Sequence, residues 1–161
     1  MSCRALGVVA VLALAAAVHA ADAPEVFGSV GYLKAYLDEP GQVAAGGGLR
    51  IPLASRLSVR PEYLISSDST YAHQFFLGNM TYDLMEDREK RVVPYLIGGV
   101  GLVNTKEKRI SYSSRNGLAL GGFGFRLNIG DLITISTEIR AGNKAFPLAT
   151  IHIGIRLSRN R

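Results

Sequence analysis

The fold is decided by residues 116–140, NGLALGGFGFRLNIGDLITISTEIR. The stretch predicts two strands joined by a tight turn at Asn128-Ile129-Gly130-Asp131. Along the second strand, alternate side chains fall on opposite faces, as they do in a strand that separates two environments. One face is almost purely apolar and consists of Ile133, Ile135, Thr137 and Ile139. The other face carries both charges and consists of Leu132, Thr134, Ser136, Glu138 and Arg140.

This alternation fits two kinds of protein. In a soluble protein, the isoleucine face points into the core and the charged face points to water. In a small transmembrane barrel, the isoleucine face points to lipid and the charged face points into the lumen. The rest of the chain decides between the two interpretations.

Residues 1–20 predict a secretory signal peptide that is cleaved on export. Arg4 supplies the positive start, and residues 5–18 supply the apolar run. A small-residue cleavage site follows and ends at Ala20, with Ala23 as an alternative. The run is shorter than the roughly 20 residues that a membrane-spanning helix needs.

The remaining residues, 21–161, predict one exported domain. The chain of 161 residues is 48% hydrophobic, contains 18 glycines and has a formal charge of +5. Its single cysteine, Cys3, leaves with the signal peptide. The domain must therefore gain its stability from closed hydrogen bonding and burial instead of disulfides. No later apolar run is long enough for a helical span.

Strand-length segments repeat along this domain, and each ends in turn residues. They predict eight strands: residues 25–36, 43–53, 56–66, 71–84 and 92–104, the two strands of 116–140, and residues 147–158. A longer basic loop is predicted at residues 105–115. A meander of eight strands leaves two open edges unless it closes, and eight strands can close. The interior of such a barrel is just wide enough for side chains, which excludes a wide pore.

The polar faces of these strands carry many charges. Such faces cannot form the apolar pocket of a soluble carrier, but they fit the lumen of a small membrane barrel. We therefore predict an all-β, eight-stranded antiparallel up-and-down transmembrane β-barrel, with a soluble barrel as the alternative. The predicted lumen charge network consists of Arg50, Arg60, Glu62, Arg126, Glu138, Arg140 and Arg156, accompanied by Asn79 and His152.

The chain resembles the small eight-stranded outer-membrane β-barrel proteins, a porin-like family. The resemblance covers essentially the whole mature chain. It is carried by VPYLIGGVGL at residues 93–102, by the hairpin at residues 117–140, and by TIHIGIRLSRNR at residues 150–161. It implies a location in the outer membrane of a Gram-negative bacterium, with both chain ends in the periplasm. The implied partners are outer-membrane lipid, lipopolysaccharide and, during insertion, the barrel-assembly machinery.

The chain departs from this family at its end. Family members usually finish on an aromatic residue that the insertion machinery reads, whereas this chain finishes on Ser158-Arg159-Asn160-Arg161. We expect recognition to be relaxed or to use an internal signal. We also expect a monomer without a cofactor.

The predicted network suggests two roles. Glu62 and Glu138 fall on strands three and seven, which lie opposite each other in an eight-strand ring. We hypothesise that they pair with Arg60 and Arg140, because charges removed from water persist only when paired. The network then acts either as a structural plug or as a gate whose pairs exchange partners to open a narrow ion path.

The predicted loop between strands five and six is basic, with Lys106, Lys108, Arg109 and Arg115. Clustered cations attract anionic groups, so this loop suits lipopolysaccharide phosphates. The alternative is an ordinary solvated loop. Nucleic acid is excluded as a partner because the protein is exported and its basic residues are scattered.

Enzyme activity has little support in the sequence. His73 lies near Ser67, Asp68 and Ser69, which can supply a base and a nucleophile, but serine and aspartate are also common turn residues. His152 has no serine nearby in the sequence, and the separated histidines predict no metal site. We expect a structural or surface-interaction protein, with a narrow gated channel second and a lipid-A-modifying hydrolase third.

Overall fold

The computed structural model describes residues 23–34, 41–85, 90–108, 112–143 and 146–157. The predicted signal peptide, residues 158–161 and Arg109 lie outside these ranges. Within the described part of the chain, no helix is long and apolar enough to cross a membrane.

Eight antiparallel strands form one closed barrel in which every strand pairs with its sequence neighbours. Pairing of Glu25 with Arg156 joins the first strand to the last, and closure removes the open edges. The predicted all-β, eight-stranded up-and-down barrel is confirmed. The strands are β1 (Glu25–Lys34), β2 (Gln42–Pro52), β3 (Leu57–Ser67), β4 (Tyr71–Asp83), β5 (Val92–Glu107), β6 (Tyr112–Ile129), β7 (Ile133–Gly142) and β8 (Phe146–Arg156).

The chain ends and the strand connections are divided between the two ends of the barrel. The start of β1, the end of β8 and the β2–β3, β4–β5 and β6–β7 connections lie at one end, which we call the terminal end. The other four connections lie at the opposite end, which we call the loop end. An up-and-down order places alternate connections at opposite ends.

The β6–β7 turn lies slightly later than predicted. Ile129 pairs with Ile133 across it, so Asn128 and Ile129 belong to β6 and the turn contains residues 130–132. Gly130 adopts a φ of 62°. This left-handed conformation is accessible to glycine at little cost because glycine lacks a Cβ atom.

The predicted long loop at residues 105–115 is wrong. The β5–β6 ladder continues through Thr105↔Ser114 to Glu107↔Tyr112, so the segment is the protruding end of a hairpin. Threonine and tyrosine favour extended backbone, and a partner strand satisfies their backbone groups. Lys106 lies in β5, Arg115 lies in β6, and Lys108 lies in the turn after β5.

Side-chain burial alternates along the strands. On β4, every second residue from His73 to Asp83 is buried and the residues between them are exposed. The exposed set includes large apolar side chains such as Phe76, Met80 and Tyr82. Similar side chains cover the outer face of the other strands, and a soluble monomer rarely exposes so continuous an apolar surface.

Glycines on the inner face make room for large lumen side chains. A Cβ atom on Gly124 would lie 2.8 Å from both Cζ of Tyr95 and Cγ of Glu138. A Cβ atom on Gly154 would overlap the carboxylate of Glu25. The narrow interior of an eight-stranded barrel accommodates long side chains only where the opposing positions are small.

Neighbouring glycines on opposite faces of β6 provide a test of this steric argument. Gly122→Ala should lower the free energy of unfolding by about 1–3 kcal/mol, because its Cβ would clash with the Ile139 carbonyl and lie 2.9 Å from Cα of Arg140. Gly121→Ala is the control, since its Cβ comes no closer than 3.8 Å to the Ile97 carbonyl. Its unfolding free energy should change by at most about 0.5 kcal/mol. Urea unfolding of the refolded barrel measures both, and equal losses would contradict the argument.

Candidate functional site

The lumen contains four successive zones from the terminal end to the loop end. They are a terminal-end charged cluster, a central charged cluster, an apolar layer and a polar rim. Six of the seven predicted network residues are buried on the inner face, with relative exposures of 8% or less. Arg156 is the seventh and is partly exposed at the terminal end.

The central charged cluster joins β3 to β7 across the lumen. Arg60 makes a bidentate pair with Glu138, in which its Nη2 lies 2.8 Å from Oε2. Arg140 donates from Nη2 to Glu62 at 2.9 Å and from Nε to Glu138 at 2.7 Å. Two guanidinium groups therefore face two carboxylates, and their formal charges cancel.

Three further side chains contact the central carboxylates. The Tyr95 hydroxyl donates to Oε1 of Glu138. The amide of Asn79 donates to Oε2 of Glu62 at 3.1 Å. His152 lies beside both carboxylates, with Nε2 3.5 Å from Oε2 of Glu138. Each such donor lowers the free-energy cost of burying the carboxylates, because an unpaired charge is strongly destabilising in a low-dielectric interior.

The terminal-end charged cluster is built around Asp83. Arg126 donates to both carboxylate oxygens of Asp83, at 3.1 and 3.2 Å. Arg50 lies 3.5 Å from Asp83 and 3.5 Å from Glu25. Thr134 donates to Glu25 at 2.6 Å. The structure thus brings Arg50 and Arg126 together around acidic residues that the predicted network did not include.

The ring of Tyr95 connects the two charged clusters. The guanidinium of Arg126 stacks 5.0 Å from the ring centre of Tyr95, whose hydroxyl reaches Glu138 in the central cluster. Arg60 lies 5.3 Å from the ring centre of Phe27. Cation–π contact partly replaces the water that a buried guanidinium loses.

An apolar layer closes the lumen above the central cluster. Leu33, Leu64 and Phe75 are completely buried there. The side chains of this layer pack against one another, and Phe146 packs against the layer. Its buried members are Leu33, Ala44, Leu64, Phe75, Leu77, Val103, Leu118 and Leu120.

The polar rim contains His73, the histidine considered for catalysis. His73 is fully buried on the inner face, and its Nδ1 lies 3.0 Å from the Thr105 hydroxyl. Ser67 is exposed on the opposite face of the sheet. Ser66 faces His73 across the ladder, but its hydroxyl bonds to Gln42 and to the Val43 carbonyl.

Asp68 is committed to turn structure in the same rim. The backbone N–H groups of Tyr71 and Thr70 donate to its Oδ1 at 2.6 and 2.7 Å, and they hold the pKa of the carboxyl below its usual value. Its Oδ2 accepts from Gln42 at 2.6 Å. Gln42, Ser66 and Asp68 are therefore engaged in structural hydrogen bonds in the rim.

The predicted basic loop residues do not act as one group. Lys106 and Arg115 are exposed on the outer face of the hairpin. Lys108 reaches across to the β3–β4 connection, where its Nζ donates to Ser67 at 2.8 Å and to the Asp68 carbonyl. Within the described residues, no group of three or more acidic, cysteine or histidine side chains is placed to hold a metal ion.

Comparison with solved structures identifies the architecture. The N-terminal β-barrel domain of OprF from Pseudomonas aeruginosa matches with a TM-score of 0.66 at 12% identity, covering 83% of this chain and 97% of that chain. Neisserial surface protein A matches with a TM-score of 0.58 at 12% identity, covering 82% of this chain and 92% of that chain. The chain has the fold of the small outer-membrane β-barrels. Neither protein-family models nor curated proteins give a match.

Glu25, Asp83 and Tyr95 contribute to the charged clusters but are absent from the predicted network. Asp83 follows Asn79 and Thr81 on the polar face of β4, so its alternation was a usable signal. Glu25 lies at the very start of β1, where too few residues precede it to show a pattern. Tyr95 lies in the most apolar strand, where alternation is weak.

Removing the charge of Glu138 should destabilise the barrel more than removing a similar charge at the hairpin tip. Glu138→Gln leaves Arg60 and Arg140 short of a buried counter-charge, and the expected loss of unfolding free energy is about 3–5 kcal/mol. Glu107→Gln is the matched control on the protruding hairpin, with an expected change of about 0.5 kcal/mol or less. Urea unfolding curves measure the free energy of unfolding of both variants. If Glu138→Gln lowers it no more than Glu107→Gln does, the central cluster contributes little to stability.

Proposed function

We propose that this chain is an integral outer-membrane protein with a structural and surface-interaction role, supporting membrane integrity and associating with lipopolysaccharide. It is exported through its predicted cleaved signal peptide and presents its loop end to the outside. The observation that carries the proposal is the combination of a continuous apolar outer face with a packed lumen. In this role the barrel acts as a monomer, without a catalytic activity, a cofactor or a nucleic-acid partner.

The outer face supports a membrane location through the height of its apolar band. On β5, the outward side chains from Val92 through Leu96 to Leu102 are apolar or glycine. At about 3.3 Å per residue, this distance is about 33 Å of strand. A strand tilted by about 40° then rises about 25 Å, which is the height expected for the band of an outer-membrane barrel.

The packed lumen supports a structural role over conduction. A water-filled path would leave lumen side chains accessible, whereas Arg140, Tyr95 and Phe75 are each less than 2% exposed. The charged side chains of each cluster pair with one another. The apolar layer lies between these clusters and the loop end. An apolar constriction of this kind opposes ion passage because it does not hold water.

The loop end supports lipopolysaccharide association through its exposed cations. Lys106 and Arg115 are exposed beyond the apolar band on the outer face. The described ends of the chain lie at the opposite end of the barrel, which the family resemblance places in the periplasm. Cations just outside the hydrocarbon region attract lipid phosphates.

Planar-bilayer recording tests the structural role against the gated channel. We expect no stepwise current from the refolded barrel, and none from Glu138→Ala, because the apolar layer remains in place. Glu107→Ala serves as a control for a charge removed outside the central cluster. Single-channel steps in the unmodified barrel that change in Glu138→Ala, but not in Glu107→Ala, would replace the proposal with the gated channel.

Arginine scanning along β5 tests the membrane location. Leu96→Arg places a charge near the middle of the apolar band and should cost about 2–4 kcal/mol of folding free energy in lipid vesicles. Val92→Arg lies on the same strand and face but at the edge of the band, where the cost should be about 0–1 kcal/mol. Urea titration in vesicles measures both, and equal costs would contradict a band centred on Leu96.

A further inference from the structure

Two exposed cations share a pocket on the outer face of the β5–β6 hairpin. Strand register arranges its lining residues in two rows across three strands, β4, β5 and β6. One row is Gln74, Asn104 and Arg115, and the other is Ala72, Lys106 and Ser113. The pocket that they line has a volume of about 290 Å³.

The chemistry of this pocket suits a phosphate group. Nε of Arg115 donates to Oδ1 of Asn104 at 2.8 Å, which orients the guanidinium across the sheet. The Nη groups of Arg115 and the ammonium of Lys106 have no protein partner within the described ranges. Among the described residues, no carboxylate lines the pocket. An oriented guanidinium fork matches the oxygens of a phosphate, and a lysine adds a mobile second charge.

The position of the pocket restricts the source of that phosphate. Phe76 and Leu102 are the outward residues immediately below Gln74 and Asn104, and both are about half exposed. The pocket therefore begins where the apolar band ends. In a membrane, this height is the headgroup region, where a lipid can place its phosphate against the cations while its chains lie along Phe76 and Leu102.

We propose that this pocket binds the phosphate of an anionic membrane lipid. The proposal rests on the outer-membrane function proposed above and names the site at which that function contacts lipid. Lys106 and Arg115 supply the charge, and Gln74, Asn104 and Ser113 supply polar neighbours. Lys108 is excluded from the site because it is held by the β3–β4 connection.

Lipid titration with matched variants tests the site. The refolded barrel in micelles of a zwitterionic detergent is titrated with short-chain phosphatidic acid, and binding is measured by calorimetry. The double variant Lys106→Gln/Arg115→Gln should bind the lipid about 30-fold more weakly. Each cation near a membrane surface contributes about fivefold to the affinity, and the two factors multiply. Lys90→Gln/Arg91→Gln removes the same charge at the terminal end, where both residues are exposed, and should leave the affinity unchanged.

Three results would overturn the site. Equal weakening in both double variants would indicate diffuse attraction to net charge. Equal binding of short-chain diacylglycerol would indicate that the lipid chains alone are recognised. Inorganic phosphate binding as tightly as the lipid would indicate a site for a soluble anion. The gel mobility of boiled and unboiled samples is compared first for every variant, because a folded membrane barrel migrates differently after boiling. Absence of that shift in the unmodified barrel would contradict the membrane function itself, before any titration.

Discussion

The pairing of arginine with glutamate across the lumen constrains the rest of the barrel. Arg60 and Glu62 extend from β3, and Glu138 and Arg140 extend from β7, so each strand supplies one charge of each sign. Buried charges persist only when they are paired and hydrogen-bonded. Strands on opposite sides of the ring must therefore keep the register that brings these groups together.

Other features of the sequence follow from this requirement. The interior of an eight-stranded barrel is narrow, so inward glycines such as Gly99, Gly122 and Gly124 lie beside the long side chains. Tyr95 is needed where it lies because its ring supports Arg126 and its hydroxyl supports Glu138. The apolar side chains displaced from this interior cover the outside, which is the reverse of a soluble protein.

The lumen is asymmetric, and the asymmetry bears on function. Charged side chains fill the terminal end and the centre, whereas the layer around Phe75 near the loop end is apolar. This arrangement separates the buried charges from the solvent at the loop end. The loop end then offers its polar residues outward, on the rim and on the β5–β6 hairpin. These features fit a barrel with a closed lumen that contacts the membrane and its surface through its outer face.

The sequence predicted the architecture well because period-two alternation and turn residues directly report strands and their faces. It also pointed to Arg60, Glu62, Glu138 and Arg140 as neighbours, since opposite strands are fixed by the strand count. Its errors arose where that signal is weak or absent. The ladder between residues 105 and 112 is mostly polar on both faces, so its sequence shows no alternation that would predict a strand. The convergence of Lys106 and Arg115 on one pocket depends on cross-strand register, which the sequence alone does not specify.

The most direct test of the account is the gel mobility of the refolded mature chain, boiled against unboiled. A closed membrane barrel whose lumen is tied across by buried ion pairs should resist detergent at room temperature and migrate differently after boiling. We expect this shift, with the protein remaining in the detergent or vesicle fraction. Identical mobility before and after boiling, with the folded protein soluble once detergent is removed, would contradict it and favour a soluble barrel.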